Sequence, residues 1–160
     1  MCLNFFVLAL LNIAIGQGEI LVTPIQMANY TNILATRGDT YPVYLVDSSP
    51  SNIKFPEINI NNWKFVQDAM RKVVSGSMGT AKNSDPKIPG LIISGKTGTA
   101  ENPHGEAHAW FITYGEKNNE MISIVILIEN GGSGGTFATP IARKIYQYYF
   151  TARYSELAEK

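Results

Sequence analysis

Apolar residues run almost unbroken from Cys2 to Ile15 in the opening MCLNFFVLALLNIAIGQG, with Asn4 and Asn12 as the polar interruptions. The run is shorter than the ~18–20 apolar residues a membrane-spanning helix needs. It has no Lys or Arg ahead of its apolar part and no small-x-small cleavage site, so it does not read as a signal peptide. We expect a buried segment at the edge of the fold. GQGE follows (Gly16 to Glu19), read as a short extended run, and then a helix start, with Thr23 as N-cap and Pro24 in the first helical position. Ile25, Ala28, Ile33 and Leu34 fall at roughly helical spacing, and Gly38 is placed to stop the helix. Tyr41 to Val46 is a short strand candidate, and the Ser-, Pro- and Asn-rich Asp47 to Asn62 reads as a surface loop. A second helix is expected over Asn62 to Ser75, its apolar stripe formed by Trp63, Val66, Met70 and Val73 and closed by Gly76.

Beyond the polar loop from Gly76 to Gly90 the period changes from helical to extended. Leu91 to Ala100, Ala107 to Gly115 and Met121 to Glu129 are strand candidates, with EKNNE (116–120) as a hairpin turn. The run MISIVILIE is β-branched and nearly continuous, which suits a central strand covered on both faces. NGGSGG reads as a flexible turn leading to Thr139 and Pro140, again expected as N-cap and first helical residue. The closing helix should turn Ile141, Ile145, Tyr148 and Tyr149 inward. The pattern is α+β: two helices, a three-stranded antiparallel meander packed by helices, and a terminal helix. No internal repeat or interdomain linker is visible.

Composition narrows the function. The 160 residues suit one domain, and 45% hydrophobic content supplies a core. Thirteen basic and thirteen acidic side chains cancel, leaving no basic footprint for nucleic acid. Cys2, the single cysteine, excludes an internal disulfide framework and a multi-cysteine metal site. We expect no cofactor and no metal. His104 and His108, with Glu101 and Glu106 nearby, invite a metal hypothesis, but Gly105 and the adjoining strand argue against facing ligands. Trp63 and Trp110 read as core aromatics.

The chemistry concentrates in GLIISGKTGTAENPHGEAHAWF. Gly90-x-x-x-x-Gly95-Lys96-Thr97 matches the phosphate-loop pattern letter for letter. That loop needs a strand before its first glycine and a helix after its lysine. Here Asp85 to Pro89 precede Gly90, Leu-Ile-Ile-Ser favours a strand, and Pro103 and Gly105 follow. Nucleotide binding therefore stays a remote alternative. Placed on a strand instead, Lys96 offers a fixed cation, Thr97 and Thr99 offer hydroxyls, and the strand edge offers N–H groups. Such a set holds a carboxylate and polarises a nearby carbonyl. Gly95 and Gly98 mark close approach of another backbone or a ligand. The plain alternative is a surface strand with an exposed Lys.

The flanks carry a resemblance. SGKTGTAENPHGEAHAWF, ILIENGGSGG and TPIARKIYQYYF, with LNIAIGQGEILVTPIQMANYTNILATRG upstream, closely resemble the C-terminal part of a transpeptidase domain. The family is the class B penicillin-binding proteins, of the penicillin-binding protein 2 type found in the rod-elongation system. The resemblance covers about residues 11–150, with residues 1–10 departing from it and residues 151–160 forming a polar tail. It implies the C-terminal part of a β-lactamase/transpeptidase-like fold. The family uses S-x-x-K, S-x-N and K-T/S-G motifs, of which Lys96, Thr97 and Gly98 fill the third. By resemblance, Lys96 acts as the motif's catalytic cation, Thr97, Gly98 and Thr99 bind substrate, and Thr97 and Thr99 take the terminal carboxylate. The Thr99 N–H supplies half of an oxyanion hole, and such a donor is worth about 3–4 kcal/mol of barrier.

The other two motifs are not found. Ser51-Asn52-Ile53-Lys54 and Ser84-Asp85-Pro86-Lys87 fit S-x-x-K, but prolines at 50, 56, 86 and 89 deny them a stable helix, and no S-x-N occurs. The resemblance thus implies part of a peptidoglycan D,D-transpeptidase, truncated or split upstream and expected to be inactive alone. Its implied partners are stem peptide ending in D-Ala-D-Ala, β-lactams, the missing N-terminal part of the same enzyme and a SEDS-type glycosyltransferase. The implied place is the periplasmic face of the bacterial inner membrane. The alternative is a non-catalytic module that binds peptide termini or a partner chain through the Lys96 strand.

Overall fold

The computed structural model describes residues 2–18, 20–40, 43, 53–54 and 57–152. The opening apolar run forms helix α1 (Cys2–Ala14). Its side chains are not buried as expected: Leu8 and Leu10 are 61% and 65% exposed. The run is apolar on all sides, so no rotation hides it, and no other described element packs extensively on it.

Helix α2 (Pro24–Thr36) begins as the sequence predicts. The Thr23 hydroxyl accepts from the Gln26 N–H at 3.3 Å while the Gln26 side chain accepts from the Thr23 N–H at 2.8 Å, a reciprocal capping box. The helix stops at Thr36, where Arg37 turns left-handed (φ 61°) and Gly38 follows at φ 96°. Thr31 and Leu34 are buried and Ile25 is exposed, so the inward stripe starts later than the spacing suggests. Strands β1 (Asp39–Thr40) and β2 (Ile53–Lys54) pair antiparallel. The expected strand at 41–46 lies outside the described residues apart from Val43, which has no regular structure. The expected loop at 47–62 is interrupted by β2 and by the start of helix α3 (Ile60–Ser75) at Ile60.

Helix α3 buries Trp63, Met70 and Val74 and leaves Val66 exposed. Gln67 explains the shift. Its amide nitrogen donates to the carbonyls of Leu34 and Ala35 at 2.9 and 3.0 Å, and its oxygen accepts from Arg37 Nε at 3.1 Å. A polar residue on the inward side thus satisfies the carbonyls that end α2.

The second sheet is β3 (Ile92–Ala100), β4 (His108–Lys117) and β5 (Glu120–Ile128), in that order and antiparallel throughout. The turn is tighter than expected: Asn118 and Asn119, both left-handed, join β4 to β5, as a two-residue hairpin requires. Among the described residues β4 is central and β5 is an edge, against the expectation for MISIVILIE. Its apolar continuity comes from coverage of both faces: α2 packs on β5 and β4, and Ile124 and Ile126 enter the main core.

A π-helical turn (Gly134–Ala138) leads into helix α4 (Thr139–Gln147). Thr139 is already helical, and its hydroxyl donates back to the Gly135 carbonyl at 2.7 Å, so it is not the expected N-cap. The inward face also differs. Ala142, Tyr146 and Phe150 are buried, while Ile141, Ile145 and Tyr148 are exposed and Tyr149 is half-buried. Gly115 decides this, because a Cβ there would lie 2.6 Å from the Tyr146 ring. The Tyr146 ring occupies that space, and its hydroxyl meets Thr113 Oγ1 at 2.9 Å, which in turn donates to the Ser94 carbonyl at 2.8 Å. The main core gathers Val74, Ile93, Phe111, Ile124, Ile126 and Tyr146, and a second cluster joins Leu34, Trp63, Met70 and Tyr114. Trp63 is thus a core aromatic as expected, whereas Trp110 is only half-buried.

Candidate functional site

Lys96, Thr97, Gly98 and Thr99 lie consecutively on β3, facing Ile112, Phe111, Trp110 and Ala109 of β4. The pleat puts Lys96 and Gly98 on one face and Thr97 and Thr99 on the other. Lys96 and Thr99 are exposed; Thr97 and Gly98 are half-buried. Lys96 Nζ donates to the Thr97 carbonyl at 2.6 Å, so the cation folds along its own strand.

Three further segments converge on this stretch. Thr80 Oγ1 lies 2.8 Å from Thr97 Oγ1. Gly134 presses on the strand pair: a Cβ there would fall 2.4 Å from the Gly98 carbonyl oxygen and 2.2 Å from that of Trp110. At Gly135 a Cβ would lie 2.9 Å from the Thr80 carbonyl oxygen. The glycine loop is therefore a fitted wall, not a flexible turn, and Gly134 is buried. Finally, Gln17 donates to the Thr99 carbonyl at 2.9 Å and accepts from the Glu101 N–H at 3.3 Å. Sequence reasoning missed Thr80, Gly134 and Gln17 as site residues. Glycine flanks at 16 and 18 were the available signal for Gln17. One cation and two hydroxyls in contact, on a strand edge that pairs with no other described strand, can hold an anion.

The other candidates fall away on geometry. GLIISGKT enters β3 at Ile92 and stays extended through Ala100, so Lys96 opens no helix and no phosphate loop forms. Ser84 is fully buried, its hydroxyl donating to the Ala81 carbonyl at 2.7 Å. Within the polar loop read from Gly76 to Gly90, the 3-10 turn Lys82–Ser84 tucks it under α4. Lys87 pairs with Asp85 at 2.9 Å. Partial burial works against the Asp85 charge, yet the hydrogen bonds and charge of Lys87 hold its carboxyl below the ordinary value. Ser51 lies outside the described residues, and Lys54 belongs to β2, not to a helix. His108 Nδ1 accepts from the Asn130 N–H at 2.9 Å, and the His104 N–H donates to Asn102 Oδ1 at 3.0 Å. No cluster of three metal-ligating residues exists among the described residues. No described helix is long and apolar enough to cross a membrane.

Comparison with known proteins identifies the family. The family described as "Penicillin binding protein transpeptidase domain" matches residues 6–147. The chain is 28% identical to the peptidoglycan D,D-transpeptidase MrdA of Haemophilus influenzae, over 89% of this chain and 26% of that protein. It is 31% identical to the peptidoglycan D,D-transpeptidase PbpA of Mycobacterium tuberculosis, over 84% of this chain and 30% of that protein. Among solved structures, Pseudomonas aeruginosa PBP2 in complex with WCK 5153 superposes with a TM-score of 0.71 at 29% identity, covering 89% of this chain and 32% of that one. Helicobacter pylori PBP2 gives 0.67 at 27% identity, covering 84% and 26%. The chain thus spans about a quarter to a third of the relatives it matches. With the family model matching residues 6–147, nearly the whole chain, the chain belongs to the penicillin-binding protein transpeptidase domain family, corresponding to the C-terminal part of that domain.

Proposed function

We propose that this chain carries the substrate-binding strand of a peptidoglycan D,D-transpeptidase. In that reading the Thr97 and Thr99 hydroxyls hold the terminal carboxylate of a D-Ala-D-Ala stem peptide, or that of a β-lactam. Lys96 supplies the positive field beside the nucleophile, and the Thr99 N–H donates to the developing oxyanion. The observation that carries the reading is the Lys96–Thr99 stretch, walled by Thr80 and Gly134, on a strand whose outer edge pairs with no other described strand.

Acyl transfer also needs a nucleophilic serine beside its activating lysine. Neither S-x-x-K match supplies one: Lys54 is extended, and Ser84 is buried and donates its proton to a carbonyl. In this reading the reacting serine and any glycosyltransferase partner are supplied by other polypeptide, and the reaction takes place at the outer face of the cell membrane. The test is a titration of the isotopically labelled chain with N-acyl-D-Ala-D-Ala, alongside exposure to fluorescent penicillin. Shifts centred on the Lys96–Thr99 amides are expected, lost in Thr97→Val, with no covalent penicillin adduct. Shifts centred elsewhere, or a Lys96-dependent adduct, contradict the reading.

A further inference from the structure

Gln17 occupies a place that its local sequence does not explain. Helix α1 ends in a Schellman motif: the Gly16 N–H donates to the Ile13 carbonyl at 3.0 Å and the Gln17 N–H to the Asn12 carbonyl at 2.8 Å. Gly16 and Gly18 both have positive φ, 76° and 86°. The chain reverses on either side of Gln17, and the side chain is delivered to a strand more than 80 residues away.

The contact it makes there has the form of a strand pairing. In an extended chain the N–H and C=O of one residue point to the same edge, and residues two apart share that edge. The Thr97 carbonyl, the Thr99 carbonyl and the Glu101 N–H all bond to side chains: Lys96 Nζ of the same strand, then Gln17 Nε2 and Gln17 Oε1. They share the edge away from β4, and the Thr99 N–H lies on it too. Gln17 donates to Thr99 and accepts from Glu101 as the N–H and C=O of one residue of a parallel neighbour would. Its side chain makes the two bonds that one residue of a neighbouring strand would make there.

We propose that Gln17 is a positioning residue: by holding the Thr99 carbonyl and the Glu101 N–H it fixes the extended backbone at Thr99 and so aims the Thr99 N–H at the substrate carbonyl. This rests on the function proposed above. A Thr99 carbonyl already occupied by Gln17 cannot rotate inward, and the N–H of the same extended residue stays on that edge.

The test compares the 160-residue chain with Gln17→Met, which keeps the side-chain length and removes both polar atoms. Hydrogen exchange of the Glu101 amide is expected to accelerate at least tenfold. The shift of the Thr99 amide on saturation with N-acyl-D-Ala-D-Ala should fall at least threefold, while the Thr113 and Tyr146 resonances stay in place. Unchanged Glu101 exchange overturns the clamp. Faster exchange with an undiminished Thr99 response reduces Gln17 to a structural prop and overturns its positioning role. A wild-type chain whose Thr99 amide ignores the dipeptide, though Gln17→Met still accelerates exchange, sinks the transpeptidase reading and with it the purpose of the clamp. If Gln17→Met does not fold, Gln17→Glu keeps the acceptor and loses the donor. Retained Glu101 protection with a lost Thr99 response then supports the proposal, and a retained response overturns it.

Discussion

At the scale of single residues, the glycines around β3 are not equivalent, and the contacts rank them. A Cβ at Gly98 would meet Trp110 Cβ at 3.2 Å, a contact that a small side-chain shift relieves. A Cβ at Gly134 would meet two carbonyl oxygens at 2.2 and 2.4 Å. These belong to Trp110 and Gly98, so they move only if the β3–β4 ladder moves. Gly134→Ala is therefore expected to cost about 1–3 kcal/mol, the range of overpacked interiors, and to exceed Gly98→Ala. Urea midpoints of the two variants check this, and the reverse order would refute it. The glycine named in the lysine motif is the more replaceable of the two, because the loop crossing above it depends on Gly134 having no side chain.

At the scale of elements, local chemistry and long-range packing separate cleanly. The start of α2 is local: Thr23, Pro24 and Gln26 build the capping box within four residues. Thr23→Ala should cost about 1 kcal/mol, read as a fall in melting temperature with the sheet's exchange pattern retained; an unchanged melting temperature would mean the cap contributes nothing. Such features, like the three strands of the meander, were legible because the signal and the structure lie in the same few residues. The inward face of α4 was not. Periodicity permits either Ile141 with Ile145 or Ala142 with Tyr146, and the choice is made by the space above Gly115, on another element. The edge position of β5 escaped for the same reason, since its apolar run reflects α2 on one face and the core on the other. The site divides likewise. Lys96 to Thr99 stand together in the sequence, whereas Thr80 and Gln17 reach them across 17 and 82 residues.

At the scale of the whole molecule, the buried tyrosines make stability sensitive to alkali. Burial raises the phenol of Tyr146 well above its ordinary value, and the Thr113 hydrogen bond only partly offsets this. Burial likewise raises Tyr114, more modestly, with Ser94 opposing. The folded chain therefore binds more protons than the unfolded chain once the pH passes the ordinary phenol value near 10. The stability from keeping these phenols neutral is complete below that pH and is lost as pH rises through the folded values. Each phenol contributes a slope of at most about 1.4 kcal/mol per pH unit. Urea midpoints should stay level from pH 8 to 9 and fall steeply above 10. Tyr146→Phe separates the cause from general alkaline damage. It removes the Thr113 partner and lowers stability at pH 8 by about 1 kcal/mol, yet it cannot ionise, so its decline above pH 10 should be shallower. Parallel declines in the two proteins would show that the core phenol is not the source. Convergence of the two curves at high pH would place the alkaline weakness on the Ser94–Thr113–Tyr146 hydrogen-bonded chain that joins α4 to the strand carrying Lys96.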